Sequence, residues 1–306
     1  MGHLKWDILG LGCAAVDDLV YVASYPPPDA KTPVLRRERH CGGLTATAMV
    51  AASRLGARCA YAGALGQDEF SLFVLERLQQ EGVDVVSAVR REDARPVHAI
   101  IVVDESRHTR NIFYDLDGVI GADPRLPEAE VIRSARVLFV DHIGINGAIR
   151  AACIARQAGI PVVADLESNQ SPRFAELLAI VDHLVISRDF AQAITGKSDP
   201  AAAVQALGAA ERKAVVVTCG ADGCWYSSGS PGDRPRHHWA FEVEVVDTTG
   251  CGDVFHGAYA AALARGMPVE ERVRVASAAA AIKATRPGGQ AGIPTWSVVE
   301  SFLRGT

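Results

Sequence analysis

The spacing of hydrophobic positions changes along the chain, and each change marks an element. Trp6-Asp7-Ile8-Leu9 reads as a short buried strand. Val16–Val22 alternates and is rich in β-formers until Tyr25-Pro26-Pro27-Pro28 stops it. Val34–His40 predicts a second, more polar strand, followed by Cys41-Gly42-Gly43. Small apolar residues from Leu44 to Leu55 predict a helix closed by Gly56. Ala57–Ala64 predicts the next strand, and Gly66-Gln67-Asp68 opens a helix through Gln80. Val97–Asp104 and Thr109–Asp115 predict a hairpin with Glu105–His108 as its turn. From residue 130 onward strands (Val137–Asp141, Pro161–Asp165, His183–Ser187) alternate with helices (Asn146–Gln157, Ser171–Val181). That is the rhythm of a mostly parallel sheet wrapped by helices. Val215–Thr218 predicts a buried strand that runs into a glycine turn. Glu242–Val246 alternates like a strand, Val254–Ala264 has helical spacing, and Ala276–Ala284 is a helix of very small residues.

The expected fold class is therefore α/β, a three-layer, mostly parallel sheet flanked by helices. The four half-polar strands would form a separate small sheet, and such a sheet needs cover on one face. It is expected to act as a lid whose apolar side meets a partner subunit, giving a homodimer.

Composition narrows the function classes. With 49% hydrophobic residues in 306, a large core needs no staples. A net charge of −5 with scattered Lys and Arg gives no basic tract, so no nucleic-acid partner is expected. No apolar run is long enough for a membrane span, and Met1–Trp6 has no signal-peptide layout. Seven cysteines without C-x-x-C spacing point to reduced thiols and a cytoplasmic protein, with no bond expected between Cys219 and Cys224. His237-His238 would point apart on a strand, which argues against a metal pair.

The candidate chemistry centres on residues 246–257. A strand, a turn containing Gly250 and Gly252, and a helix opening with Asp253 would form an anion site, most naturally for phosphate. A carboxylate beside a phosphate cradle can take the proton from a hydroxyl that attacks phosphorus. The plainer reading is a tight turn with Asp253 as a cap. Two other stretches only imitate phosphate loops. Gly10-Leu11-Gly12-Cys13-Ala14-Ala15 leads into a strand where a dinucleotide fingerprint needs a helix, and Thr195-Gly196-Lys197-Ser198 lacks the leading glycine of a Walker loop.

The run Asp247-Thr248-Thr249-Gly250-Cys251-Gly252-Asp253-Val254-Phe255 resembles the second signature of the ribokinase-like (PfkB) carbohydrate kinases, D-T-x-G-A-G-D-x-F, with Cys251 in place of Ala. The resemblance extends from Ile8 to Phe302 and is nearest the ketohexokinase and sulfofructose-kinase branches. It implies an ATP-dependent sugar kinase with residues 1–12, 42–96 and 119–306 in the α/β nucleotide-binding domain and 13–41 and 97–118 in the lid. Asp253 would be the general base, and the N–H groups of Gly250, Cys251 and Gly252 the anion hole. Asp17, Gly42, Gly43 and Thr47 would face the sugar, Thr47 standing where the family usually has Asn. Leu44 occupies another amide position of ketohexokinases. Asn111 and Arg110 on the lid could reach substrate, and Lys31 aligns with a lysine of the sulfofructose kinases. Ser187, Thr218, Gly220, Gly223 and Ala279 would serve the nucleotide. Asp247 and the Gly288 loop would enclose a monovalent cation, K⁺. Mg²⁺ is implied with ATP, but the N-x-x-E acid is missing at Ser187-Arg188-Asp189-Phe190. Its ligands are unassigned, with Asp165 or Glu167 as substitutes through water. The first expectation for the substrate is a ketose or related sugar, the second an anionic sulfo- or phospho-sugar. A nucleoside kinase and a non-catalytic binding regulator are the remaining alternatives.

Overall fold

The computed structural model describes residues 4–107, 109–229 and 231–305. In chain order the elements are β1 (Trp6–Leu11), β2 (Ala15–Val22), β3 (Arg36–Gly42), α1 (Leu44–Arg54), β4 (Cys59–Tyr61), β5 (Ala64–Leu65), α2 (Glu69–Gln80), β6 (Val89–Arg90), β7 (Val97–Asp104), β8 (Thr109–Asp115), α3 (Ala129–Arg133), β9 (Ala135–Asp141), α4 (Ile145–Gln157), β10 (Val162–Asp165), α5 (Phe174–Ile180), β11 (His183–Ser187), α6 (Arg188–Thr195), α7 (Pro200–Ala206), β12 (Ala214–Thr218), β13 (Cys224–Ser227), β14 (Arg236–His238), α8 (Cys251–Ala264), α9 (Val269–Ala284) and α10 (Trp296–Arg304).

Eight strands form the main sheet in the order β14-β13-β12-β11-β10-β9-β1-β4. The pairings from β4 to β12 are parallel, and β13 and β14 add an antiparallel edge. Alternation along each strand sends side chains to two separate cores. Ile8, Val137, Phe139, Val163, Val185 and Val216 face α1, α8 and α9. Leu9, Leu138, Val140, Val162, Leu184 and Val215 face the other helix layer. Both faces are covered, which is why the central strands read as nearly continuous apolar runs.

The second sheet has the order β3-β2-β7-β8, with β2 and β7 parallel and the outer pairs antiparallel. Every residue of β8 is exposed. The turn predicted at Glu105–His108 ends on His108, which lies outside the described residues.

Three expectations need correction. The segment Glu242–Val246 joins no ladder. The N–H groups of Val246 and Asp247 instead both donate to Ala284 O at the end of α9, at 2.8 and 3.0 Å. The strand expected at Ala57–Ala64 divides into β4, which pairs with β1 in the main sheet, and β5, which pairs with β6 outside it. Cys41 and Gly42 belong to β3 rather than to the turn after it.

Candidate functional site

The candidate turn closes on itself through Asp247. Its carboxylate accepts the N–H of Thr249 on Oδ1 and the N–H of Gly288 on Oδ2, each at 2.8 Å. Burial raises the Asp247 pKa, but the two N–H groups and nearby Lys283 outweigh it and hold the carboxyl below its ordinary range. Gly250 caps α8 with φ 75°, a left-handed conformation suited to glycine, and a Cβ there would stand 2.7 Å from Gly289 O. At Gly252 a Cβ would meet nothing within 4 Å, so space opens in front of the helix end. The Cys251 amide, expected in the anion hole, is instead directed back to Thr248 O at 3.1 Å. Among the described residues the N–H groups of Gly250 and Gly252 donate to no backbone carbonyl in this turn, while Gly250 O accepts the N–H of Val254 at 2.9 Å.

Asp253 stands in the first turn of α8. Its pKa is pushed well above the ordinary value by burial first, then by Asp165, Glu167, Asp141 and Asp17. These acids have different duties. Asp141, at the end of β9, is saturated: it accepts from Cys13 N and Thr45 Oγ1 at 2.7 Å and from Ile143 N at 2.8 Å. Asp165 is buried, and its Oδ2 has no hydrogen-bond partner. Burial raises its pKa, and His256, 3.4 Å away, opposes the shift. His256 is itself buried on α8, with Nδ1 2.7 Å from Gly252 O and Nε2 2.8 Å from Val185 O. It ties the open glycine of the turn to the main sheet, and no sequence pattern had marked it.

The second sheet is joined to the turn by Arg110, whose Nη1 donates to Thr249 Oγ1 at 2.8 Å. Strand register then sorts the residues of this sheet. Arg110 pairs with Val103 and Val103 with Tyr21, which puts Arg110 on the Asp17 face of the sheet. His40 shares that face and lies beside Gly288, where a Cβ would be 3.5 Å from its Cε1. Asp17 packs over Gly42, where a Cβ would stand 2.5 Å from Oδ2. Burial raises its pKa. Asp18, on the other face, bonds Arg39 at 2.7 Å and His98 at 2.9 Å. Asn111 pairs with Val102, which pairs with Val20, so Asn111 shares the Asp18 face and points away from the turn. The expectation for Asn111 is corrected by this register, and Arg110 takes its place.

The remaining expected residues divide. Gly43 caps α1 with φ 93°, and a Cβ would be 2.6 Å from Ala14 Cα, so only glycine lets the helix start lie this close to the β1–β2 loop. Thr47 is buried and its Oγ1 accepts from Gln290 Nε2 at 3.1 Å, so its hydroxyl is spent inside the protein. Lys31 is exposed in the loop after β2 and makes no ion pair among the described residues. Ser187 caps α6 by accepting from Phe190 N at 3.2 Å. Thr218 ends β12, and the Gly220–Gly223 turn follows at the same end of the sheet, where Arg188 bonds Asp222 at 2.9 Å. Ala279 is fully buried in the core that α8 and α9 share, so it cannot lie against a nucleotide.

Among the described residues no group of three or more His, Cys, Asp or Glu is arranged to hold a metal. Asp165 Oδ2, which accepts no hydrogen bond, and the exposed Glu167 two residues on are hard oxygen donors of the kind Mg²⁺ takes alongside phosphate. They fit an ion that arrives on a nucleotide. The monovalent cation expected at Asp247 fits poorly. Lys283, fully buried in the last turn of α9, donates from Nζ to Asp247 O at 2.7 Å. A second cation on that carbonyl would stand within about 4 Å of the ammonium, and like charges so placed repel by about 4 kcal/mol at an effective dielectric of about 20.

Comparison with known proteins gives a consistent result. Residues 12–296 match the family profile described as pfkB family carbohydrate kinase. The chain is 29% identical to a ribokinase of Haemophilus influenzae, over 96% of this chain and 97% of that protein. It is 30% identical to a probable fructokinase-4 of Arabidopsis thaliana, over 86% and 87%. The crystal structure of a putative ribokinase from Agrobacterium tumefaciens superposes with a TM-score of 0.87, at 30% identity and 97% coverage of both chains. No helix among the described residues is long and apolar enough to cross a membrane.

Proposed function

The chain belongs to the pfkB family of carbohydrate kinases and is a sugar kinase, and from that premise we propose that it transfers the γ-phosphoryl of ATP to a hydroxyl of a ketose or related sugar, with Asp253 as the general base. One observation carries the reading. Asp253 stands in the first turn of α8 directly behind the unobstructed Gly252, in the field of Asp17, a carboxylate borne by the other sheet. A hydroxyl bound between the two sheets can then give its proton to Asp253 while the turn faces the phosphoryl group.

Asp17 accepts hydroxyl hydrogen bonds and orients the sugar. Its carboxylate suits a polyol better than an aromatic base. The raised pKa of Asp253 makes it a competent proton acceptor once ionised. The helix dipole and the amides of Gly250 and Gly252 stabilise charge that develops on the moving phosphoryl. Arg110, anchored on Thr249 beside this turn, adds a positive charge from the lid. Mg²⁺ bound with ATP supplies charge neutralisation at the phosphates, and Asp165 and Glu167 would hold it through water. Ser187, Thr218 and the Gly220–Gly223 turn border the nucleotide. The lid leaves Ile100, Phe113 and Leu116 exposed, which supports a homodimer in which a second lid covers them.

The test is a panel of ketoses, aldoses, their phosphates and sulfonates, and nucleosides, read by ADP release. A ketose is expected to give the highest kcat/KM. A nucleoside at the head of the series would overturn the carbohydrate assignment. A phospho- or sulfo-sugar at the head would move the substrate to the anionic class.

A further inference from the structure

A buried lysine stands where a free cation would otherwise be needed. Lys283 has no exposed surface, and its Nζ reaches the backbone carbonyl of Asp247 at 2.7 Å. The lysine and its target are held in one unit, because Ala284 O, the next carbonyl on α9, accepts the N–H groups of both Val246 and Asp247. A cation at the carbonyl end of a helix is also favoured by the dipole. The other oxygens of Asp247 are taken by the N–H groups of Thr249 and Gly288, so the turn and the loop after α9 close around one residue. Arg110 approaches the same carboxylate to 4.0 Å from the lid side. Asp247 thus meets two side-chain cations and two amide donors, and each of its three oxygens already has a partner.

We propose that the Lys283 ammonium is a tethered replacement for a monovalent cation, so that this kinase holds its catalytic turn without potassium. The change in activity expected below rests on the kinase reading above, and the change in melting temperature does not. A diffusing ion sets the turn only at sufficient concentration. A tethered ammonium sets it always, and its position is fixed by the length of one side chain. Lysine is thereby a positioning residue: it touches Asp247, and Asp247 shapes the turn that ends in Gly250–Gly252.

The test uses the full chain in tetramethylammonium chloride, whose cation is too large for such a site, against potassium chloride at equal ionic strength. For the wild type the same melting temperature and the same rate of ADP release are expected in both salts. Lys283→Ala is expected to melt lower in tetramethylammonium, to lose at least ~10-fold in kcat there, and to recover in both readouts as potassium or ammonium is added. A wild type that melts higher in potassium, or is accelerated by it, overturns the proposal. So does a folded Lys283→Ala that keeps full activity in tetramethylammonium, or one that loses activity and is not rescued by either ion. If Lys283→Ala does not fold, the wild-type melting comparison decides alone. That comparison needs no sugar, so failure to find a substrate would count against the kinase reading and leave this one standing.

Discussion

The two sheets of this protein contribute to the site in different ways. In the main sheet, β9, β10 and β12 are buried almost throughout, and their apolar residues fill the space between two helix layers, with Asp141 and Asp165 at the ends of β9 and β10. In the second sheet, the proposed lid, β8 is exposed along its whole length and β2 is half-buried. The body offers backbone chemistry: a glycine turn, a helix end, and carboxylates at strand ends. The lid offers side chains, Asp17 and Arg110, whose value depends on which face they occupy. Backbone chemistry is fixed by small residues in a fixed order, whereas lid chemistry is fixed by register. A shift of one residue there exchanges the two faces. The two kinds of construction should fail differently under mutation.

The largest effect is expected in the body. Asp253→Asn keeps the shape of the first turn of α8 and removes the proton acceptor. Turnover should fall by at least ~10²-fold while ATP still binds, read by single-turnover ADP release and by calorimetry. Near-normal turnover in a folded variant would mean that the base is elsewhere.

The same residue predicts the pH dependence. Burial and the surrounding acids raise the Asp253 pKa, so its carboxylate forms only at a pH above the ordinary carboxylate range. The base acts as carboxylate, so kcat/KM should rise with pH through that elevated pKa and level off above it, falling about tenfold per unit below it. Asp253→Asn should flatten this acid limb. A wild-type profile that is level down to the usual range of an exposed aspartate would contradict the role of the carboxylate cluster.

The lid variants should be milder and should separate by face. Asp17→Ala is expected to raise the sugar KM by about tenfold or more, the scale of hydrogen bonds lost to a charged group. Arg110→Ala should lower kcat more than it alters sugar KM. Asn111→Ala, one residue along on the opposite face, should change neither. Steady-state kinetics on the three variants checks the register directly, and an Asn111→Ala defect as large as that of Arg110→Ala would break it.

This difference also explains what could be read from the chain. The turn at 247–253 was legible because a helix entered through a left-handed cap calls for glycine there, and the helix after it and the strands of the second sheet followed from period alone. His256 and Lys283 were not legible. A histidine on an apolar helix face and a lysine near a helix end carry no pattern, and their roles come from Gly252 O, Val185 O and Asp247 O, which only tertiary packing delivers. Ala279 and Thr47 misled for the converse reason. The helices that carry them run past the site, but these two side chains face the core. Asn111 misled because alternation tells which residues share a face and leaves open which face meets the site.

The smallest effect should fall on the one residue that departs from the family signature. Cys251 contributes a side chain that is half-buried and makes only a long Sγ–H contact to Ala280 O, at 3.6 Å. Its backbone N–H is already directed to Thr248 O. Burial pushes the thiol pKa up, so it is a poor nucleophile at neutral pH. Neither its sulfur nor its amide is thus committed to the phosphoryl group. Cys251→Ala removes one heavy atom beside α9, should cost no more than about 1 kcal/mol of stability, and should leave kcat unchanged. Cys251→Leu adds branched bulk where α8 begins against Ala280, and it should displace the turn and abolish turnover with folding retained. Melting curves and ADP release on the pair check this. An inactive but folded Cys251→Ala would show that the thiol itself takes part, and the body could then no longer be said to act through its backbone and carboxylates alone.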